Sequence, residues 1–332
     1  MRITKRGIIE VQFNWIFVLI AGFIIFLFIL SIVFFQQKNA NDKLSIELSG
    51  KIGTSLRGKE QLPNTYNEIS IPRSTINFYC DEDLQATFKI DGSSTREQLP
   101  VEIIFSDNSV SSNTLQVWTQ DFDLPFIVTR FMYLSTPQNA IIIYHDDSTL
   151  DYAKNIYSDL PSNTTKILAD SSDISQKISN YANYKIVCFN SICPPGHDYL
   201  KISPNNANMY SYGNLEFHKN GVSNAGSSSH YLTSASLFGA IFSNDKDYYE
   251  CEMNRAFSQF EIKKSLHEVR LNILQSELSG LECANVIFGA QASLSEAVNG
   301  MNLGNVSQLY LYSQHLTVSN SDLQFKACPL VY

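Results

Sequence analysis

The sequence predicts an α/β fold behind a single membrane-spanning helix, and three observations predict it. Residues 15–35 (WIFVLIAGFIIFLFILSIVFF) form an apolar run without a charge. Residues 65–190 alternate like strands and then pass into a strand-helix-strand-helix-strand rhythm. Helical spacing then governs about residues 247–298. The expected architecture is an N-terminal transmembrane helix continuing into a stalk helix, a mixed sheet with a parallel βαβαβ portion, and a C-terminal helical hairpin. Its boundaries are a leader at 1–14, a span at 15–35 and an amphipathic stalk at 36–62. An α/β part follows at 63–245, strand-rich over 65–136 and βαβαβ over 139–190, and a helical region closes the chain at 246–332.

The run of 21 residues over 15–35 makes roughly 31 Å of helix at about 1.5 Å per residue, which matches a hydrocarbon core of about 30 Å. It is apolar on all sides, unlike an amphipathic helix of a soluble protein. Trp15 and Phe35 bracket it, and Trp15 reads as an interfacial anchor. Arg2, Lys5 and Arg6 precede the span, so the positive-inside tendency holds the N-terminus in the cytoplasm and sends the bulk of the chain outward. Lys38 and Lys43 on the far side weaken this bias. A cleaved signal peptide is the competing reading, but its apolar core is shorter and ends at a small-x-small site, which FFQQKNAND lacks.

A short basic leader ending in Lys5-Arg6-Gly7, then an apolar helix with a lone acid near its start, resembles the signal of type IV pilins and archaeal pilin-like proteins. The likeness covers about residues 1–35. It implies cleavage after Gly7 and assembly of the helix into a filament. The acid departs from the bacterial pattern: Glu10 is third after Gly7, and the fifth position is Gln12. The N-terminal string is also similar to that of uncharacterised single-span membrane proteins of small-genome archaea, a likeness that implies no activity.

Beyond the span, Leu44, Leu48, Ile52 and Leu56 recur at four-residue steps and place an apolar stripe on a continuing helix. A continuous helix over 11–56 would be a rod of about 69 Å. Gly50, Gly53 and Gly58 make its end breakable, and Pro63 stops it. Ile76, Phe78 and Cys80 alternate with polar residues, as do Leu84, Ala86, Phe88 and Ile90 before the turn signal Asp91-Gly92. Val101, Ile103 and Phe105 continue the pattern, then Leu115 and Val117. Residues 126–134 are nearly all apolar, as in a strand buried on both faces.

Strands at 140–145, 164–169 and 184–189 alternate with helices at 150–160 and 174–181, the order of right-handed parallel crossovers. The earlier strands would extend this sheet or form a separate sandwich. Residues 191–245, with CPPGH and NAGSSSH, read as loops with short strands such as 214–218. Helices at 247–278 and 284–298, joined at Ser279-Gly280, read as a hairpin.

All six cysteines follow the span, as expected for disulfides in an oxidising exterior; the alternative is buried reduced thiols. Cys188 and Cys193 flank four residues and make the first expected bridge. Cys251 with Cys283 is the second, which leaves Cys80 with Cys328. The sequons at Asn163 and Asn305 lean toward an exterior location. Residues 1–43 carry a net +3 and residues 44–332 a net −11 of the chain's −8. An acidic globular part supplies no basic field for nucleic acid.

In parallel sheets, ligands gather beyond the carboxyl ends of strands. Those ends carry His145, Asp146 and Asp147, then Asp170 with Asp173, then Asn190, and converging acids would hold a divalent cation or act as an acid/base pair. The competing role is helix capping, for which Asp and Ser at these positions suffice. His197-Asp198 after Cys193 reads as a weak cysteine-histidine pair, because a neighbouring cysteine favours a bridge. There is no nucleotide-binding glycine loop, G-x-S-x-G or H-x-x-x-H, so no cofactor is expected. The preferred expectation is a non-enzymatic, single-pass surface protein in interaction or envelope architecture. Its partners are the lipid bilayer, other cell-surface proteins or copies of itself. The alternatives are a pilin-like filament subunit and a tethered enzyme with its site at the strand-end acids.

Overall fold

The computed structural model describes residues 6–60, 64–80, 86–91, 93, 96–98, 103–190, 193–205, 208–219, 227–296 and 303–332. The expected positions Arg2, Lys5, Pro63, Leu84 and Val101 lie outside these, as do the side chains of Glu10, Gln12, Leu44, Leu48 and Leu56.

Helix α1 (Arg6–Glu60) is a continuous rod of 55 residues, about 83 Å at 1.5 Å per residue. Its segment Trp15–Gln37, 23 residues long, is long and apolar enough to span a membrane, and none of it is buried in the fold. The rod meets the globular part through Ile52, which is 1% exposed and packs with Ile76, Phe78, Val110 and Leu115. The one described side chain of the stalk stripe is therefore covered by the chain's own sheet.

Strands β1 (Tyr66–Cys80), β2 (Ala86–Ile90), β3 (Glu97–Gln98), β4 (Ile103–Phe105), β5 (Ser109–Asp123) and β6 (Ile127–Ser135) form one six-stranded sheet, ordered β3-β2-β1-β5-β6-β4. It is antiparallel except where β4 runs parallel to β6. The period-2 pattern sets its register: Ile76 faces Ile90 and Phe78 faces Phe88, all four buried.

Strands β7 (Asn139–Tyr144), β8 (Lys166–Ala169), β9 (Asn183–Phe189), β10 (Tyr199–Pro204), β11 (Tyr212–His218) and β12 (Ser227–Leu232) form a second sheet, ordered β12-β11-β10-β9-β7-β8. Strands β7 to β10 pair in parallel, and β11 and β12 close the edge antiparallel. Helices α2 (Leu150–Asp159) and α3 (Ile174–Ile178) lie between its first three strands in sequence. The protein thus has two mixed sheets, and the early strands do not extend the later one.

Residues 191–245 hold the expected short strand, as β11, and correct the rest of the expectation, since β10, β12 and helix α4 (Thr233–Phe242) stand where loops were expected. Residues 235–242 of α4 are all buried. A helix apolar on every side shows no periodic stripe, which is why its sequence does not announce it. Helix α5 (Lys246–Glu277) starts at Asp245, whose carboxylate accepts from the Tyr248 N–H at 2.9 Å. Helices α6 (Glu282–Glu296) and α7 (Val306–Phe325) follow, so a third helix stands behind the expected pair. Helix α5 joins the two cores: Tyr248 belongs to the smaller cluster on one face of the first sheet, and Tyr249, Met253 and Phe260 to the larger cluster shared by both sheets and the C-terminal helices.

Candidate functional site

The carboxyl ends of β7 and β8 lie side by side, where the His145 N–H donates to Ala169 O at 3.0 Å. Asp146 is occupied by its own turn: it accepts from the Thr149 N–H at 2.9 Å, the Thr149 hydroxyl at 2.7 Å and the Ser148 hydroxyl at 2.9 Å. The Thr149 and Ser148 hydroxyls hold its carboxyl below the usual range. Asp170 accepts from the Ser172 N–H at 2.7 Å and the Ser172 hydroxyl at 2.5 Å, which lower its pKa in the same way. Asp173 accepts from the Asp170 N–H at 3.0 Å and pairs with Lys177. Asp147 is exposed in the same turn. Asn190 follows β9 in the left-handed backbone region (φ 54°), its N–H bonded to Ile202 O at 2.9 Å. Asp146, Asp170 and Asp173 thus stitch the turns that lead into α2 and α3, although neither helix carries a side-chain bond at its N-cap residue. Among the described residues no group of three or more His, Cys, Asp or Glu is placed to hold a metal ion.

The cysteines pair as Cys80–Cys251, Cys188–Cys193 and Cys283–Cys328, with none free. The short local bridge agrees with expectation, and the pairings Cys251–Cys283 and Cys80–Cys328 do not occur. The reason is the length of α5: Cys251 lies near its start and Cys283 beyond its end, about 39 Å apart along the axis for the 26 residues to Glu277. Cys251 instead sits at the end of β1 with a Cα–Cα distance to Cys80 of 6.1 Å, and Cys283 meets Cys328, 5.9 Å away, beyond α7. Cys193 is oxidised, so it supplies no thiolate to His197, whose ring Nδ1 lies 3.2 Å from the Tyr184 hydroxyl. Asn163 is exposed in the turn before β8, and Asn305 closes the 3-10 turn Leu303–Asn305 ahead of α7.

At the opposite, amino end of the parallel strands a cavity of about 450 Å³ opens between the two sheets. Its lining includes Asp107, Asn108, Tyr184, Lys185, His218 and Lys219. The Lys185 ammonium donates to Ala240 O at 2.9 Å and to Ser243 O, carbonyls at the C-terminal end of α4, where the helix dipole favours a cation. Burial pulls its pKa down to about 8, against the opposing pull of Asp107 and Asp245. Burial also raises the Asp107 carboxyl, which accepts from Asn139 Nδ2 at 2.7 Å. The His218 ring stacks on Tyr199 at 4.4 Å, and its buried Nδ1 finds no partner among the described residues. Sequence reading does not bring Lys185, Asp107 and His218 together, because they lie on three elements that only the pairing of the sheets brings close.

A second buried ionic group lies under the first sheet. Glu252 Oε2 accepts from Arg255 Nη1 at 2.7 Å and from the Ile104 N–H at 3.3 Å, while Oε1 has no partner among the described residues. Burial raises its pKa to about 7 despite Arg255. Such a group is structural in reach, because the carboxyl is wholly enclosed. Among the described residues, neither it nor the cavity presents a nucleophile with a base and an orienting partner. No protein-family model, curated protein or solved structure matches this chain.

Proposed function

We propose that the protein is a single-pass membrane protein that displays a non-enzymatic, acidic α/β domain outside the cell for interaction or envelope architecture. One observation carries the reading: all six cysteines lie on one side of the apolar segment and all are joined as disulfides, which belong to an oxidising compartment. In this reading the βαβαβ run and the C-terminal helical hairpin form the displayed body, and α1 holds it off the bilayer. The strand-end acids Asp146 and Asp170, engaged in the turns ahead of α2 and α3, support a scaffold role over catalysis.

The test is protease and impermeant thiol labelling of intact cells. The C-terminal part is expected to be cut from outside, and its thiols to label only after reduction. Protection of that part in sealed cells, with cleavage after lysis, overturns the orientation; free thiols without reduction overturn the oxidising exterior. The unbroken α1 from Arg6 also supports a second reading as a pilin-like subunit. Intact mass separates the two, since loss of residues 1–7 is expected of the filament subunit alone.

A further inference from the structure

The cavity at the amino end of the parallel strands has a volume of about 450 Å³. That falls within the range of small-molecule sites and would hold roughly fifteen waters at about 30 Å³ each. One wall is aromatic, where the Tyr199 and His218 rings lie 2° from parallel with their centroids 4.4 Å apart. Ser135 contributes to another. It is only 7% exposed, and its hydroxyl has no hydrogen-bond partner among the described residues. A buried hydroxyl without a protein partner is satisfied from the space it lines.

Which lining groups are already engaged decides what the space takes. Lys185 donates to Ala240 O and Ser243 O, Asp107 accepts from Asn139, and the Asn108 amide donates to Asp245 at 2.5 Å. The side chains of Ser109, Ser135, Asn183, Tyr199, Asn244 and Lys219 have no hydrogen bond or ion pair among the described residues. They amount to three hydroxyls, two amides and one cation, the last on an exposed residue. An anion therefore meets a single uncommitted cation and otherwise neutral groups. A zwitterion also needs an uncommitted acid, and both lining acids, Asp107 and Asp198, are engaged. An aliphatic ligand would strand the polar wall without partners. Hydroxyl groups, which donate and accept alike, suit the amides and hydroxyls in either direction.

We propose that this cavity binds a saccharide unit, packed against the Tyr199–His218 wall with its hydroxyls on Ser135 and the amides of Asn183 and Asn244. A sugar ring has apolar C–H faces and a polar edge, which suits an aromatic wall beside hydrogen-bonding side chains. Binding needs neither the membrane nor a particular orientation of the chain, so it holds or fails independently of the surface-display reading.

The experiment uses the full-length chain in phospholipid nanodiscs, because sugar-headed detergents would compete for the site. Saturation-transfer NMR and calorimetric titration are run with D-glucose, D-galactose, D-mannose and N-acetyl-D-glucosamine, and with sodium acetate, glycine and adenosine as rival ligands. At least one of the four sugars is expected to bind with a Kd of about 1 mM or tighter. Ser135→Ala removes a hydroxyl that bonds to nothing in the described fold, and is expected to weaken that binding about fivefold with the thermal midpoint unchanged. Ala182→Trp, at an exposed lining position, is expected to block entry and abolish it. Failure of all four sugars to bind overturns the proposal, as does binding that either variant leaves unchanged. Tighter binding of acetate, glycine or adenosine than of every sugar assigns the cavity to another class of ligand and overturns it equally. Should Ala182→Trp lower the thermal midpoint, Ser135→Ala alone decides.

Discussion

Replacing Glu252 by Gln removes a carboxyl that the fold holds away from water, and the consequence is calculable. Its folded pKa is about 7 against 4.5 for the ordinary side chain. The folded pKa lies above the unfolded one, so the unfolded chain releases this proton first as pH rises. The stabilising contribution is complete below pH 4.5 and is lost as pH climbs through 7. Folded and unfolded values of about 7 and 4.5, at about 1.36 kcal/mol per pH unit, make the loss about 3 kcal/mol. The physical source is the enclosed Oε1, which ionisation would charge with no donor to meet it. The assay is denaturant unfolding of the full chain in detergent from pH 4 to pH 9, for the native protein and Glu252→Gln. Other titrating groups are common to both, so the difference between the two curves isolates this one. The variant is expected to gain about 3 kcal/mol relative to the native protein between pH 4 and pH 8. Parallel curves would refute the assignment of a buried, proton-holding carboxyl.

Two further outcomes follow from the cross-links and the strand packing. Loss of Cys80–Cys251, which spans 171 residues of sequence, is expected to cost about 5 kcal/mol by loop-closure entropy, against about 2 kcal/mol for the short bridge Cys188–Cys193. Thermal midpoints of the paired alanine variants report the order, and a larger loss from the short bridge contradicts it. A Cβ on Gly213 would meet Ser203 O and the Tyr231 ring, each at 2.6 Å. Gly213→Ala therefore forces β10, β11 and β12 apart at about 1–3 kcal/mol, read as a lower thermal midpoint; an unchanged midpoint shows the sheet yields there.

Much of the architecture is written in short-range pattern. The apolar segment near the N-terminus, the alternation of Ile76, Phe78, Phe88 and Ile90, and the long helix expected from about residue 247, found as α5 from Lys246, each follow from spacing along a few turns or one strand. Helix α4 escaped the same reasoning because burial on all sides removes the period that marks a helix. Strands β10 and β12 are masked by the Pro, Gly, Asn and Ser around them.

The candidate site divides in the same way. That Asp146 and Asp170 would stand at strand ends was visible in the order of elements, because such a turn needs only residues within three positions of the acid. The cavity around Lys185 was not, since Asp107, Lys185 and His218 come from different sheets or distant strands. Disulfide partners follow the same division. Cys188 and Cys193 are close by chain length alone, whereas Cys80 reaches Cys251 only because α5 crosses the end of β1. Local sequence carries local geometry and the apolar content of each segment. The packing of one sheet on another, and the choice of partner across 171 residues, depend on summed contacts that no single stretch of chain contains.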